Sequence, residues 1–214
     1  SGVLEEGDKK YSDELYDFVN TYSGRDLTLS ENYMAVCDFI DVDSMIEHYV
    51  AGIYMGTYDW PDYNYGMWRY TGEPIEGNKF SDGKWRFVTF DCDFTMGSTY
   101  ESFGGAKKGY AYDNFAHMSK KKGMPTKLFV GLLKNEGFRN KFINVFCDYA
   151  NEVTSSETAN AIIEYYGREY TNYFALSASR WHRGEGAASF KKYSLNFKNI
   201  YLESVKEFFE KRES

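Results

Sequence analysis

Proline, cysteine and histidine each occur only 3 times in 214 residues, and each scarcity removes a class of protein. So little proline, in a chain that is 43% hydrophobic, excludes a disordered, proline-rich tail and leaves enough apolar material for a core. Cys37, Cys92 and Cys147 are an odd number without a CxxC spacing, so neither a disulfide framework nor a zinc knuckle is signalled. Cys37 and Cys147 fall in apolar helical runs and read as small core residues. His48, His117 and His182 show no ligand spacing, which argues against a histidine-based metal site. No apolar run approaches the roughly 18 residues of a membrane span. The net charge of −7 argues against a binder of nucleic-acid backbone.

Aromatic residues are plentiful instead: 20 Tyr, 17 Phe and 4 Trp make up 19% of the chain. Charge is unevenly placed. Residues 1–100 carry 7 Lys and Arg against 19 Asp and Glu, whereas 101–214 carry 18 against 13. Two solvated surfaces of opposite sign satisfy that pattern, and so does an acidic cluster holding a hard divalent cation beside a basic stretch that receives an anion.

Apolar spacing of three and four predicts helices over 11–22, 30–40 and 45–54, the last capped by the Asp41 to Ser44 run. Residues 58–63 hold Pro61 and two Asp, and read as a loop. Short aromatic and β-branched segments at 65–70 and 84–90 predict a hairpin. Glycines and two Lys clusters make 97–123 the longest expected loop. Helices are expected near 125–134, 136–151, 156–167, 171–182 and 188–211, the last with a broad apolar face. Trp60 and Trp68 read as core anchors. The length suits one domain of roughly 150 residues or somewhat more, so residues 1–214 are expected to form one α+β domain, predominantly helical, with a single hairpin.

Chemistry concentrates around that hairpin. Asp59-Trp60-Pro61-Asp62-Tyr63-Asn64 precedes it and Asp91-Cys92-Asp93-Phe94-Thr95-Met96-Gly97 follows it. Phosphoryl transfer needs a divalent cation on the phosphates, an acceptor-positioning carboxylate and a second metal-side ligand. Protein kinases supply these as Asp-x-x-x-x-Asn, a short hairpin and Asp-Phe-Gly, and the order here is the same. The strand ending Asp91-Cys92-Asp93-Phe94-Thr95 also fits the DxDx[TV] signature of aspartyl-nucleophile phosphatases. That architecture then needs alternating strands and helices with a downstream acidic pair, and the helical segments after Asp93 argue against it. Glycan chemistry has only composition in its favour.

From Ile40 to Gly97, the stretches reading IDVDSMIEHYVAGIYMGTYDWPDYNYGMWRY and GKWRFVTFDCDFTMG resemble the CotH kinase family, the spore coat protein H type of atypical secretory kinase. KLFVGLLKNEGFRNKFINVFCDYANEVTSSE and Arg180-Trp181 resemble its carboxyl-terminal half. The resemblance covers roughly 38–212. It implies a kinase-like fold and ATP-dependent phosphorylation of Ser or Thr on protein substrates, spore coat or cell-surface proteins, with Mg²⁺ or Mn²⁺. By the same resemblance Asp59 matches the catalytic aspartate, Asn64 the metal-side asparagine that also meets the nucleotide, Asp91 the metal-binding aspartate with Asp93 its neighbour, and Trp85 a ring that stacks on adenine. Two departures accompany it. Thr57-Tyr58 stands where ordinary kinases have His-Arg. The glycine-containing strands and phosphate-pairing Lys of the family's amino-terminal lobe have no counterpart, since residues 1–40 read helical and Lys9 or Lys10 is a poor replacement. The chain is therefore expected to be a carboxyl-terminal lobe with weak or no activity alone, in a protein located at a spore coat, at a cell surface or outside the cell. The alternative is a non-catalytic coat scaffold or pseudokinase docking domain.

Overall fold

A computed structural model describes residues 4–61, 63–97, 109–181 and 202–212. The chain divides into two compact units: residues 1–53, 59–91 and 114–146 form the first, and 54–58, 92–113 and 147–214 the second. Helix predominates, and among the described residues the sheet is a two-stranded antiparallel hairpin, in keeping with the expected α+β class.

The first unit opens with α1 (Lys9–Ser23), α2 (Ser30–Phe39) and α3 (Val42–Tyr54). Acidic side chains start two of them. Asp8 Oδ1 accepts from the Lys10 amide at 2.9 Å, and Asp41 Oδ1 accepts from the Asp43 and Ser44 amides at 3.1 and 3.2 Å, which satisfies amide donors that a helix start leaves over. Strands β1 (Tyr65–Trp68) and β2 (Arg86–Thr89) follow, then α4 (Asn114–Ser119), α5 (Met124–Leu132) with Pro125 in its first turn, and α6 (Glu136–Asp148). Much of the aromatic surplus goes into this core. The Tyr49 ring stacks on Phe129 with centroids 3.8 Å apart, and Phe138 and Phe142 meet Phe129 edge-on at 5.8 and 5.4 Å. Burying each such ring contributes roughly 2–3 kcal/mol.

The start of β2 is fastened to the α2–α3 junction. Trp85 N donates to Phe39 O at 3.0 Å and Asp41 N donates to Trp85 O at 2.9 Å, an isolated parallel bridge beside Ile40. Arg86, 4% exposed, pairs with Asp41 and Asp82 at 2.9 Å and donates to Lys79 O at 2.9 Å. Hydrogen bonding from Arg86 holds the Asp82 carboxyl below its ordinary range. Ser44 Oγ accepts from the Phe87 amide at 2.9 Å. These contacts fasten the hairpin at its Trp68–Arg86 end, and the Tyr65–Thr89 pair closes the opposite end of the ladder.

In the second unit α7 (Ser156–Trp181) packs on α8 (Glu203–Arg212). Arg212 donates to three backbone carbonyls, those of Tyr54, Tyr110 and Tyr112, at 3.1, 2.7 and 2.9 Å. Residues 55–58 and 94–96 run alongside each other, with Tyr58 N donating to Phe94 O at 2.9 Å and Met96 N to Met55 O at 2.8 Å.

Several expectations are corrected. Helix α4 lies inside the expected 97–123 loop, anchored by fully buried Met118 and by Asn114 Nδ2 donating to Gly52 O at 2.8 Å. One helix, α7, replaces two, because Gly167 is no stop: a Cβ there would lie 2.6 Å from Leu202 Cδ1, so glycine serves close packing. Cys147 is exposed on α6, and Trp68 is 39% exposed on β1. Of the expected 188–211 helix, Glu203–Arg212 is observed, and 188–201 lie outside the described residues, as do 98–108 of the expected loop.

Candidate active site

The hairpin register decides which acidic and amide side chains meet. Tyr65 pairs with Thr89, Gly66 with Val88, Met67 with Phe87 and Trp68 with Arg86. Asn64 precedes Tyr65 by one residue and Asp91 follows Thr89 by two, so both lie at the Tyr65–Thr89 end of the ladder. Asp59 joins them through its side chain, since Asn64 Nδ2 donates to Asp59 Oδ2. A carboxylate only accepts, so the Asn64 amide turns its nitrogen to Asp59 and leaves its Oδ1 available as a ligand atom. Asn64 and Asp91 both adopt left-handed backbone, with φ of +55° and +53°. Such conformations cost non-glycine residues free energy and concentrate at functional positions.

Three of the expected residues, Asp59, Asn64 and Asp91, are therefore brought to one end of the hairpin. Asp93 is exposed and belongs to the second unit. Trp85 is at the other end of the ladder, just ahead of β2, roughly 13 Å of extended chain from Thr89 at ~3.3 Å per residue. Its ring is 7% exposed, with the Arg69 guanidinium carbon 5.7 Å from the ring centroid. Arg69 in turn lies over Tyr11 and pairs with Glu14 Oε2 at 3.0 Å. In this conformation Trp85 is a packing residue at the hairpin root, and a purine stacks on it only if Arg69 moves aside.

One buried side chain that contacts both flanking segments has no motif to mark it in the sequence. His48, 5% exposed on α3, accepts from Trp60 Nε1 through Nε2 at 2.9 Å, and its Nδ1 lies 2.9 Å from Thr89 Oγ1. An indole nitrogen is donor-only, so Nε2 is unprotonated and the ring proton sits on Nδ1, donating to Thr89. Burial pushes the His48 pKa down to about 4, which keeps the ring neutral. Trp60 itself, 3% exposed, lies flat against α3 where Gly52 has no side chain: a Cβ at Gly52 would come within 2.9 Å of the indole. His48 had no ligand spacing to mark it, because its partners are 12 and 41 residues away. In the sequence its traces are a histidine among the apolar residues of α3 and a tryptophan directly after Asp59.

The ligand atoms that these three residues offer are carboxylate and amide oxygens, suited to a hard cation. Among the described residues no group of three or more His, Cys, Asp or Glu converges. Mg²⁺ is commonly held by one or two protein carboxylates, with phosphate and water oxygens completing its shell, so Asp91 and Asn64 fit an ion that arrives with a nucleotide. They do not form a dedicated all-protein cage.

No curated protein matches the chain, and no solved structure does. The family model described as CotH kinase protein matches residues 2–214. With that match covering nearly every residue, and with the Asp59, Asn64 and Asp91 arrangement at the hairpin end, the chain belongs to the CotH kinase family.

Proposed function

We propose that this chain carries the phosphoryl-transfer site of an atypical protein kinase that uses ATP with Mg²⁺ or Mn²⁺ to phosphorylate Ser or Thr on a protein at a spore coat or cell surface. The observation that carries this reading is the convergence of Asp59, Asn64 and Asp91 at one end of the β1–β2 ladder, within a family match across the chain. Asp59 orients the acceptor hydroxyl and takes its proton as the oxygen bonds to the γ-phosphorus and the bond to the β-phosphate oxygen breaks, releasing ADP. Asn64 and Asp91 would hold the cation, Asp93 being the next carboxylate of the same sequence motif. When bound, the cation neutralises charge that builds on the phosphate oxygens. Trp85 remains a candidate adenine contact conditional on movement of Arg69. We further propose that the 214 residues alone turn over weakly or not at all, since among the described residues the hairpin is the sheet and no glycine-rich strand pair covers the phosphates.

Thermal unfolding in ATP with Mn²⁺ tests the site. At ligand concentrations about 100 times Kd the expected stabilisation is about 2.7 kcal/mol, and it disappears in Asp91→Asn. Absence of any shift in the wild type at millimolar ATP and Mn²⁺ contradicts the reading and favours a non-catalytic scaffold.

A further inference from the structure

His48 occupies a place in the fold that no acid, base or ligand role explains. Its two ring nitrogens engage two different segments: Nε2 takes the indole N–H of Trp60, the residue after Asp59, and Nδ1 faces the hydroxyl of Thr89, two residues ahead of Asp91. The ring is fixed on its faces as well, stacked on Phe87 at 5.0 Å and edge-on to Tyr49 at 5.6 Å. A rigid, buried imidazole with both nitrogens committed holds its partners at a set separation, because the two ring nitrogens are fixed relative to each other.

We infer that His48 is a positioning residue that sets the Asp59 loop against the Asp91 strand end, and that through this tie it tunes the affinity of the site for metal and nucleotide. The second half of the inference rests on the kinase reading above; the tie itself does not. Trp60 carries the constraint to Asp59 along the backbone and Thr89 carries it to Asp91. The hydrogen bond from Asn64 to Asp59 closes the Asp59 loop on itself just ahead of Tyr65, whose ladder partner is Thr89. Partners that orient ligands in this way typically cost 10- to 100-fold in metal affinity when removed.

The test uses the full chain and two readouts. Thr89→Val removes the hydroxyl with little change of shape, and Thr154→Val makes the same chemical change at a buried threonine of the second unit, where Thr154 Oγ1 donates to Tyr149 O at 2.8 Å. In Thr89→Val, amide exchange at Asp59, Trp60 and Asn64 is expected to quicken about fivefold, the equivalent of one hydrogen bond, and Kd for Mn²⁺·ATP by calorimetry to rise about tenfold. Thr154→Val is expected to lower the unfolding midpoint with Kd unchanged. His48→Gln, which keeps an acceptor and a donor, is expected to restore much of the affinity that His48→Ala loses. If amide exchange at Asp59, Trp60 and Asn64 is unaltered in both Thr89→Val and His48→Ala, the tie is refuted, whatever nucleotide does. If exchange responds as expected while the wild type binds no Mn²⁺·ATP, the tie stands and the kinase reading falls.

Discussion

Asn64 and Asp91 share left-handed backbone, φ +55° and +53°, at the same end of one hairpin ladder. Asparagine and aspartate are the non-glycine residues that adopt this conformation most readily. Asn64→Gly and Asn64→Ala both delete the hydrogen bond to Asp59, but only alanine bears the left-handed penalty. Asn64→Ala is therefore expected to be about 1 kcal/mol less stable than Asn64→Gly by urea unfolding, while both lose Mn²⁺·ATP affinity to a similar degree. Asp91→Asn tolerates the same backbone and is expected to unfold within about 0.5 kcal/mol of wild type while losing binding.

Protonation of His48 sets a pH dependence whose sign is fixed by its partner. A proton on Nε2 would face the indole N–H of Trp60, donor against donor, and burial holds the folded pKa at about 4 against an ordinary 6.5. Between those values the unfolded chain binds a proton that the folded chain refuses. The contribution is complete above pH 6.5 and is lost as pH falls to 4, by about 3 kcal/mol in total. Unfolding free energies from urea titration at pH 7.5 and 4.5 should differ less in His48→Gln than in wild type by a comparable amount.

Gly52 lets the Trp60 ring lie against α3, with a hypothetical Cβ 2.9 to 3.0 Å from three indole carbons. Gly52→Ala should gain about 1 kcal/mol of helix propensity and lose about 1–3 kcal/mol to overpacking, for a net loss of stability. Because the displaced ring is the one bonded to His48, the substitution should also weaken Mn²⁺·ATP binding. Calorimetry on the folded variant checks that second effect.

Arg86 fastens the hairpin at the end away from the site. Its side chain is 5% exposed while Asp41 and Asp82 are 26% and 37% exposed, so its removal leaves partners that water reaches in part. Arg86→Met is expected to cost about 2–3 kcal/mol, below the full penalty for breaking a buried pair. Chemical denaturation in low and high salt checks it, and the cost should persist at 1 M NaCl because the guanidinium itself is shielded from solvent.

Local features were legible in the sequence, and long-range ones were not. The Asp59-to-Asn64 offset, the acidic strand end and the hairpin between them could be read directly, because each is encoded within a few residues. Helices α1 to α3 announced themselves by spacing and by Asp41 as a cap. Gly167 was ambiguous, since glycine marks both helix ends and close packing, and only Leu202 lying on it decides between them. Trp60 and Trp68 looked alike in sequence. One, in the loop before β1, is buried against Gly52 of α3, and the other ends β1 at 39% exposure, a difference set by tertiary packing. His48 and Arg69 acquire meaning only from partners many residues away.

In the proposed function, metal and nucleotide meet the Tyr65–Thr89 end of the hairpin. Paramagnetic broadening of amide resonances in the full chain during titration with Mn²⁺ and ATP locates the ion directly. The Asn64 side-chain amide and the backbone amides of Asp59 and Asp91 are expected to broaden first, the Trp85 indole N–H later, and Asp91→Asn is expected to abolish the pattern. Broadening centred on another part of the fold, or none at saturating ATP, would contradict it.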